Sequence, residues 1–209
     1  TQFNPKIAAV NDKNFIVSWS DYRTGSDWDV YAQLFNSSGQ PIGSNFLVSD
    51  TAFYQQYNTS CTMDTSGRFL ITWGDSRLGN YDIFGQFFDN AGTRIDTVFT
   101  VNKVIGTSSE QQQASAMSPS GKTVVVWWDN RNSIRSIYGQ LYDELGIPVN
   151  TNFKIDEDTL NFAKSSPAIA MDEDKFIVAW QDDREPTQIY RRTYYNDGTP
   201  FESEIKVSE

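Results

Sequence analysis

The sequence predicts an all-β fold, a β-propeller of four four-stranded antiparallel blades, and three observations predict it. Trp19, Trp73, Trp127 and Trp180 recur at spacings of 54, 54 and 53 residues. Each opens a Trp-x-Asp-x-Arg motif: Trp19/Asp21/Arg23, Trp73/Asp75/Arg77, Trp127/Asp129/Arg131 and Trp180/Asp182/Arg184. Between the motifs, short β-branched and aromatic runs alternate with Gly, Asn and Asp turns, and no helical period runs long enough to insert a helix. A period near 50 residues implies a unit that buries its faces against copies of itself.

The four elements of each unit follow in order. The first is built of small residues, Ile7-Ala8-Ala9, Ser60-Cys61-Thr62, Ala114-Ser115-Ala116 and Ala168-Ile169-Ala170, as suits strands crowded around an axis. The second, Phe15–Trp19, Phe69–Trp73, Thr123–Trp127 and Phe176–Trp180, is rich in strand formers, and alternation puts Phe15, Val17, Trp19 and Asp21 on one face. The third runs Asp29–Phe35, Asp82–Phe88, Ser136–Tyr142 and Gln188–Tyr194; the fourth is brief, Phe46–Val48, Phe99–Val101, Phe153–Ile155 and Glu204–Val207. Turns such as Asn36-Ser37-Ser38-Gly39 and Asp89-Asn90-Ala91-Gly92 join strands three and four, with glycine supplying the positive φ of a tight turn. Each unit therefore reads as an up-and-down meander, with blades near 4–50, 51–102, 103–157 and 158–209 in one domain. A closed four-blade ring is favoured. An open part of a larger propeller is the alternative, because the fourth repeat places Arg191, Arg192 and Thr193 where the others carry Ala or Gly, Gln, and Leu or Phe.

The turn Ser118-Pro119-Ser120-Gly121-Lys122 ahead of a Val-rich strand, and the run from Asp75 through Arg77, Gly79 and Asp82 to Phe84, resemble the WD40-like PD40 blade repeat of TolB-type propellers. In that family a Ser-Pro-Asp-Gly turn is followed by Asp-Arg-x-Gly-x-x-Asp-Ile-Tyr. The resemblance covers all four repeats and departs from the pattern around Asp27-Trp28, at Ser136 and at Gln188. It implies propeller architecture and little about function.

At 209 residues the chain is long enough for a substantial core without a staple. It has no histidine and one cysteine, Cys61, which excludes His-dependent nucleophile systems, His-ligated zinc and an internal disulfide. Cys61 itself reads as an inert thiol among small strand residues. A formal charge of −10 opposes nucleic acid and anionic membranes as partners, and the apolar runs, such as Val124–Trp128, are too short to span a bilayer. The start at Thr1, without methionine or leader, fits a processed chain or a piece of a longer one.

Residues present in every blade are expected to serve the blade, so the Trp, Asp and Arg of the motif read as structural. The acidic runs Asp156-Glu157-Asp158 and Asp172-Glu173-Asp174 read as solvated turns; no cofactor is expected, with calcium as the weaker alternative. Binding is expected where repeats differ, on the face carrying the two-three loops and the blade connections. There Tyr22, Trp28, Phe53, Tyr54, Tyr57 and Tyr81 place aromatics among acids, amides and hydroxyls, a mixture suited to a glycan or a protein partner. The sequence thus points to a non-enzymatic recognition or adhesion module. A structural spacer or filament protomer is one alternative, and a carboxylate-dependent polysaccharide hydrolase, which a deep acidic pocket with two carboxyls unpaired by Arg would favour, is another. The Asn36-Ser-Ser and Asn58-Thr-Ser sequons and the polar, acidic surface point to an extracellular, cell-surface or periplasmic protein, of undetermined oligomeric state.

Overall fold

The computed structural model describes residues 1–10, 14–50, 54–103, 109–157 and 162–208. Blade one is β1 (Gln2–Ala9), β2 (Phe15–Asp21), β3 (Asp29–Phe35) and β4 (Pro41–Leu47); blade two is β5 (Gln56–Met63), β6 (Phe69–Asp75), β7 (Asp82–Phe88) and β8 (Arg94–Thr100). Blade three is β9 (Glu110–Met117), β10 (Thr123–Asp129), β11 (Ser136–Tyr142) and β12 (Pro148–Lys154); blade four is β13 (Lys164–Met171), β14 (Lys175–Asp182), β15 (Gln188–Tyr195) and β16 (Ile205–Lys206). Each blade is a four-stranded sheet in consecutive order with antiparallel pairing throughout, and no helix occurs among the described residues. The first strands are longer than their small-residue cores, and the fourth strands of blades one to three begin directly after the glycine turn. Backbone pairing, and not side-chain apolarity, sets those ends.

The first strands carry a shared irregularity. Asn4, Asn58, Gln112 and Ser166, at intervals of 54 residues, have φ of +51°, +58°, +53° and +52°. At each of them the register to the second strand shifts. A bulge with a left-handed residue bends a strand and increases its twist. Its recurrence in all four blades makes the bend part of the blade design.

Two unlike faces hold the blades together. One face of each blade is centred on the motif tryptophan, and the other is aliphatic. Ile16, Val30, Leu34 and Val48 of blade one pack on Phe69, Ile71 and Trp73 of blade two. Leu70, Ile83, Phe87 and Val101 pack in turn on Val125, Trp127 and Tyr138 of blade three, and Val124, Val126, Ile137 and Ile155 on Phe176, Val178 and Trp180 of blade four. A latch repeats behind each core. The backbone N–H of Val30, Ile83, Ile137 and Ile189 is bonded by the side chain nineteen residues on, from Ser49, Asn102, Asp156 and Ser208, at 2.6–3.1 Å. Three such cores join four blades, and among the described residues no fourth core joins blade four to blade one. The closed ring favoured from sequence is therefore not shown.

Trp73 is fully buried, whereas Trp19, on the outer face of blade one, is only half-buried. Trp73→Ala is expected to lower stability by about 3–5 kcal/mol, and Trp19→Ala by clearly less. Urea unfolding of the two variants beside the wild type measures the difference.

Candidate functional site

The motif Asp closes a local network in every blade. Asp21 accepts bonds from Trp19 Nε1 at 2.9 Å, Arg23 Nε at 2.9 Å and Gln2 Nε2 at 2.7 Å. Asp75, Asp129 and Asp182 are fully buried and bound to Arg77, Arg131 and Arg184. Each arginine also lies over a third-strand ring: Arg23 on Tyr31 at 3.6 Å, Arg77 on Phe84 at 4.6 Å, Arg131 on Tyr138 at 4.0 Å and Arg184 on Tyr190 at 3.7 Å. A buried carboxylate is tolerated only with this degree of pairing, so the motif has a structural task in each blade.

The neighbours of these carboxylates vary. The first-strand position beside them is Gln2, Gln56, Glu110 and Lys164 in successive blades. Opposite Asp21 and Asp75 across the second and third strands stand Asp29 and Asp82, but Ser136 and Gln188 take that place in blades three and four. Two blades thus oppose a pair of carboxyls at the loop face. In blade one the pair is driven apart. Burial pushes the Asp21 carboxyl up, but bonds from Arg23, Trp19 and Gln2 together outweigh it and hold it down at about 2. The Asp29 carboxyl is pushed up, first by burial and then by the negative charge of Asp27 and Asp21.

Four of the six aromatics singled out from the sequence gather into one cluster at the loops that flank this pair in the chain. Tyr22 lies 5.0 Å from Trp28, and Tyr57 lies 5.1 Å from Tyr81, ring centre to ring centre. Phe3, which the sequence reading missed, bridges them at 4.5 Å from Trp28 and 6.5 Å from Tyr57. The start of β5 is tied to this loop, as Gln56 N–H donates to the Trp28 carbonyl at 2.9 Å and Gln55 Nε2 to Asp27 at 3.2 Å. Burial, followed by the hydrogen bond with Tyr81, pushes the Tyr57 hydroxyl far up, so it is neutral. Tyr54 is 46% exposed, with no ring contact to the cluster among the described residues; Phe53 lies outside the described residues.

A cavity of about 530 Å³ lies between the first strands of the four blades, lined by Asn4, Lys6, Asn58, Gln112, Gln113 and Ser166 with small apolar residues. No carboxylate lines it, so the acids of this protein act elsewhere if they act on a ligand. Among the described residues no cluster of three metal-ligating side chains occurs. Asp172 accepts bonds from the N–H groups of Asp174 and Lys175 and Asp156 pairs with Lys154, while Asp158 lies outside the described residues. Burial pushes the Cys61 thiol up to about 12, which removes it as a nucleophile.

No family model and no curated protein matches the sequence. Solved structures do match. An α-L-arabinofuranosidase from Fusarium graminearum, in complex with an iminosugar inhibitor, has a TM-score of 0.68 at 12% identity, over 99% of this chain and 66% of its own. An α-L-arabinanase from Penicillium chrysogenum, complexed with arabinobiose, has a TM-score of 0.68 at 11% identity, over 99% and 66%. A GH43 endo-arabinanase from Bacillus licheniformis has a TM-score of 0.53 at 10% identity, over 98% and 79%. The fold is that of a β-propeller. This chain spans about two thirds of the length of the first two structures.

These similarities correct the functional expectation. The non-catalytic recognition or adhesion reading, and the expectation that the chain is not an enzyme, give way because the propellers it resembles cleave glycosidic bonds. Those readings rested on the missing histidines and on the Asp–Arg pairing, and glycoside hydrolysis in general needs carboxyls and no histidine.

The low Asp21 value has a thermodynamic consequence. A depressed carboxyl contributes stability above its unfolded value near 3.8, and that contribution is lost as pH falls from about 4 through about 2. Asp21→Asn is expected to flatten the acid limb of the stability curve by about 2 kcal/mol, read from denaturant titrations at pH 6 and pH 2.5. A variant with the wild-type acid limb would show that Asp21 lacks this environment.

Proposed function

We propose that this chain belongs to a carboxylate-dependent hydrolase of polysaccharides, working at the loop face of blades one and two. The observation that carries the reading is the Asp21–Asp29 carboxyl pair, opposed across β2 and β3 with opposite pKa shifts, in the blade whose two-three loop also brings Tyr22 and Trp28 into an aromatic cluster. Aromatic faces stack on the C–H faces of sugars. Asp29, held protonated longer, is suited to donate a proton to the leaving oxygen; Asp21 is bound to Arg23 and so is not the arginine-free carboxyl the sequence reading looked for, but it stays ionised and can stabilise the positive charge that develops at the anomeric carbon. Asp29 keeps 7% exposure whereas Asp82 has none, so of the two third-strand aspartates Asp29 is the more accessible.

The arabinan-active propellers support this reading and make arabinan the first substrate to try. A polymer of that kind is met outside the cell, so an extracellular or periplasmic location is part of the proposal. The WD40-like signature concerns how each blade folds and leaves the substrate open.

Reducing-sugar release from arabinan, xylan and xyloglucan tests the proposal. Asp29→Asn is expected to lose at least about a hundredfold in turnover with an unchanged melting temperature. Asp82→Asn, at the equivalent but buried place, is expected to keep turnover and lose stability. No sugar release by the wild type, or equal turnover in Asp29→Asn, would overturn the assignment.

A further inference from the structure

Blade four presents to solvent the face that every other blade buries. In blades one to three the equivalent triads Ile16/Val30/Val48, Leu70/Ile83/Val101 and Val124/Ile137/Ile155 all have 0% exposure. In blade four the same positions are Ile177 at 36%, Ile189 at 41% and Val207 at 56%. The backbone is no different there, since Val207 N–H bonds the Ile189 carbonyl at 2.8 Å just as Ile155 bonds Ile137. The complementary tryptophan face is open on blade one, where Ile7 is 65% exposed and Phe15, Val17 and Trp19 are only half-buried. These are two ends of one repeating interface, each lacking its partner surface.

We propose that these two open faces are docking surfaces for a two-blade unit of the same repeat, which completes a ring of six. Its leading blade would lay a tryptophan face on Ile177, Ile189 and Val207, and its trailing blade an aliphatic face on Trp19. Curvature selects the number. The four blades superpose with a TM-score of 0.68 on chains of which they cover 66%, and with only 0.53 on a chain of which they cover 79%. The better match leaves room for about two more blades. A second copy of this chain brings four and overfills that ring.

The rim chemistry is also part of the fit. Each incoming blade donates to the last strand of the blade before it: Arg94 to the Leu47 and Ser49 carbonyls, Asn152 to Val101 and Arg192 to Ile155, all at 3.1 Å. The unit is expected to bring such a donor to the carbonyls around Val207. Blade four differs from the buried faces in its outer half. Arg191, paired to Glu202, stands where the others have Ala32, Gly85 and Gly139, and Thr193 where they have Leu34, Phe87 and Leu141. These two positions make the outer half of the blade-four face more polar than its counterparts.

Appending a second copy of residues 1–102, which carry blades one and two, after residue 209 through a short linker supplies a unit of this kind while leaving the full chain intact. The fused protein is expected to melt at least about 5 °C higher, to bind less of an apolar dye and to remain monomeric. Ile177→Lys with Ile189→Lys should abolish that gain in the fused protein yet leave the melting temperature of the 209-residue chain unchanged, because both side chains face solvent there. An unchanged melting temperature and dye signal on fusion would overturn the proposal. So would dimerisation of the 209-residue chain that the two lysines abolish, which assigns the face to a second copy. Stability and association are the readouts, so the outcome stands apart from whether hydrolysis is found.

Discussion

The structure depends on one repeated contact, the burial of a tryptophan-centred face of one blade against the aliphatic face of the blade before it. Two-sided burial explains why the second strands of blades two and three, Phe69–Asp75 and Thr123–Asp129, are buried at nearly every position. Those of blades one and four, buried on one side only, show the alternation of a half-exposed strand. Because the two faces differ, the contact is directional and adds blades in one sense only, like any heterologous interface. An array built this way always ends in one open face of each kind unless it closes on itself.

The Trp-x-Asp-x-Arg network serves that contact. A carboxylate at the end of the second strand fixes the tryptophan ring through Nε1 in blades one to three, and the arginine two residues on stacks over the third strand. The tryptophan is thereby oriented for its contact with the blade before it. The charge is held by several donors, and removal of a single partner from such a site is costly. Blade one modifies this common plan: it inserts a longer two-three loop, brings Trp28 and Tyr22 onto Phe3, and leaves Asp29 slightly exposed where the equivalent Asp82 of blade two is fully buried.

Much of the fold was legible because each repeat states the same pattern four times. Strand order, turn positions and the structural role of the motif follow from period-two alternation and from glycines with positive φ, which Gly39, Gly92, Gly146 and Gly198 all show. The aromatic cluster was legible in part. Tyr22, Trp28, Tyr57 and Tyr81 stood out as departures from the repeat, but Phe3 did not, since it sits at the start of a strand otherwise built of small residues. The exclusion of catalysis failed because absent histidines say nothing about two-carboxyl chemistry, and because Asp29 looks in sequence like the third-strand aspartate of any blade. Its raised pKa comes from Asp27, Asp21 and burial together, which no linear pattern displays.

By itself the sequence determined the blade: four strands, their faces, their turns and the buried carboxylate, all set by local alternation and by residues two to four apart. Only the tertiary structure decided how many interfaces those blades complete. Ile177, Ile189 and Val207 are as apolar as their counterparts in the other blades, so composition cannot tell an interior face from a terminal one. Curvature is the reason. Whether the last face meets the first depends on the rotation between neighbouring blades, a sum of small twists and bulges over the whole array that no single repeat encodes.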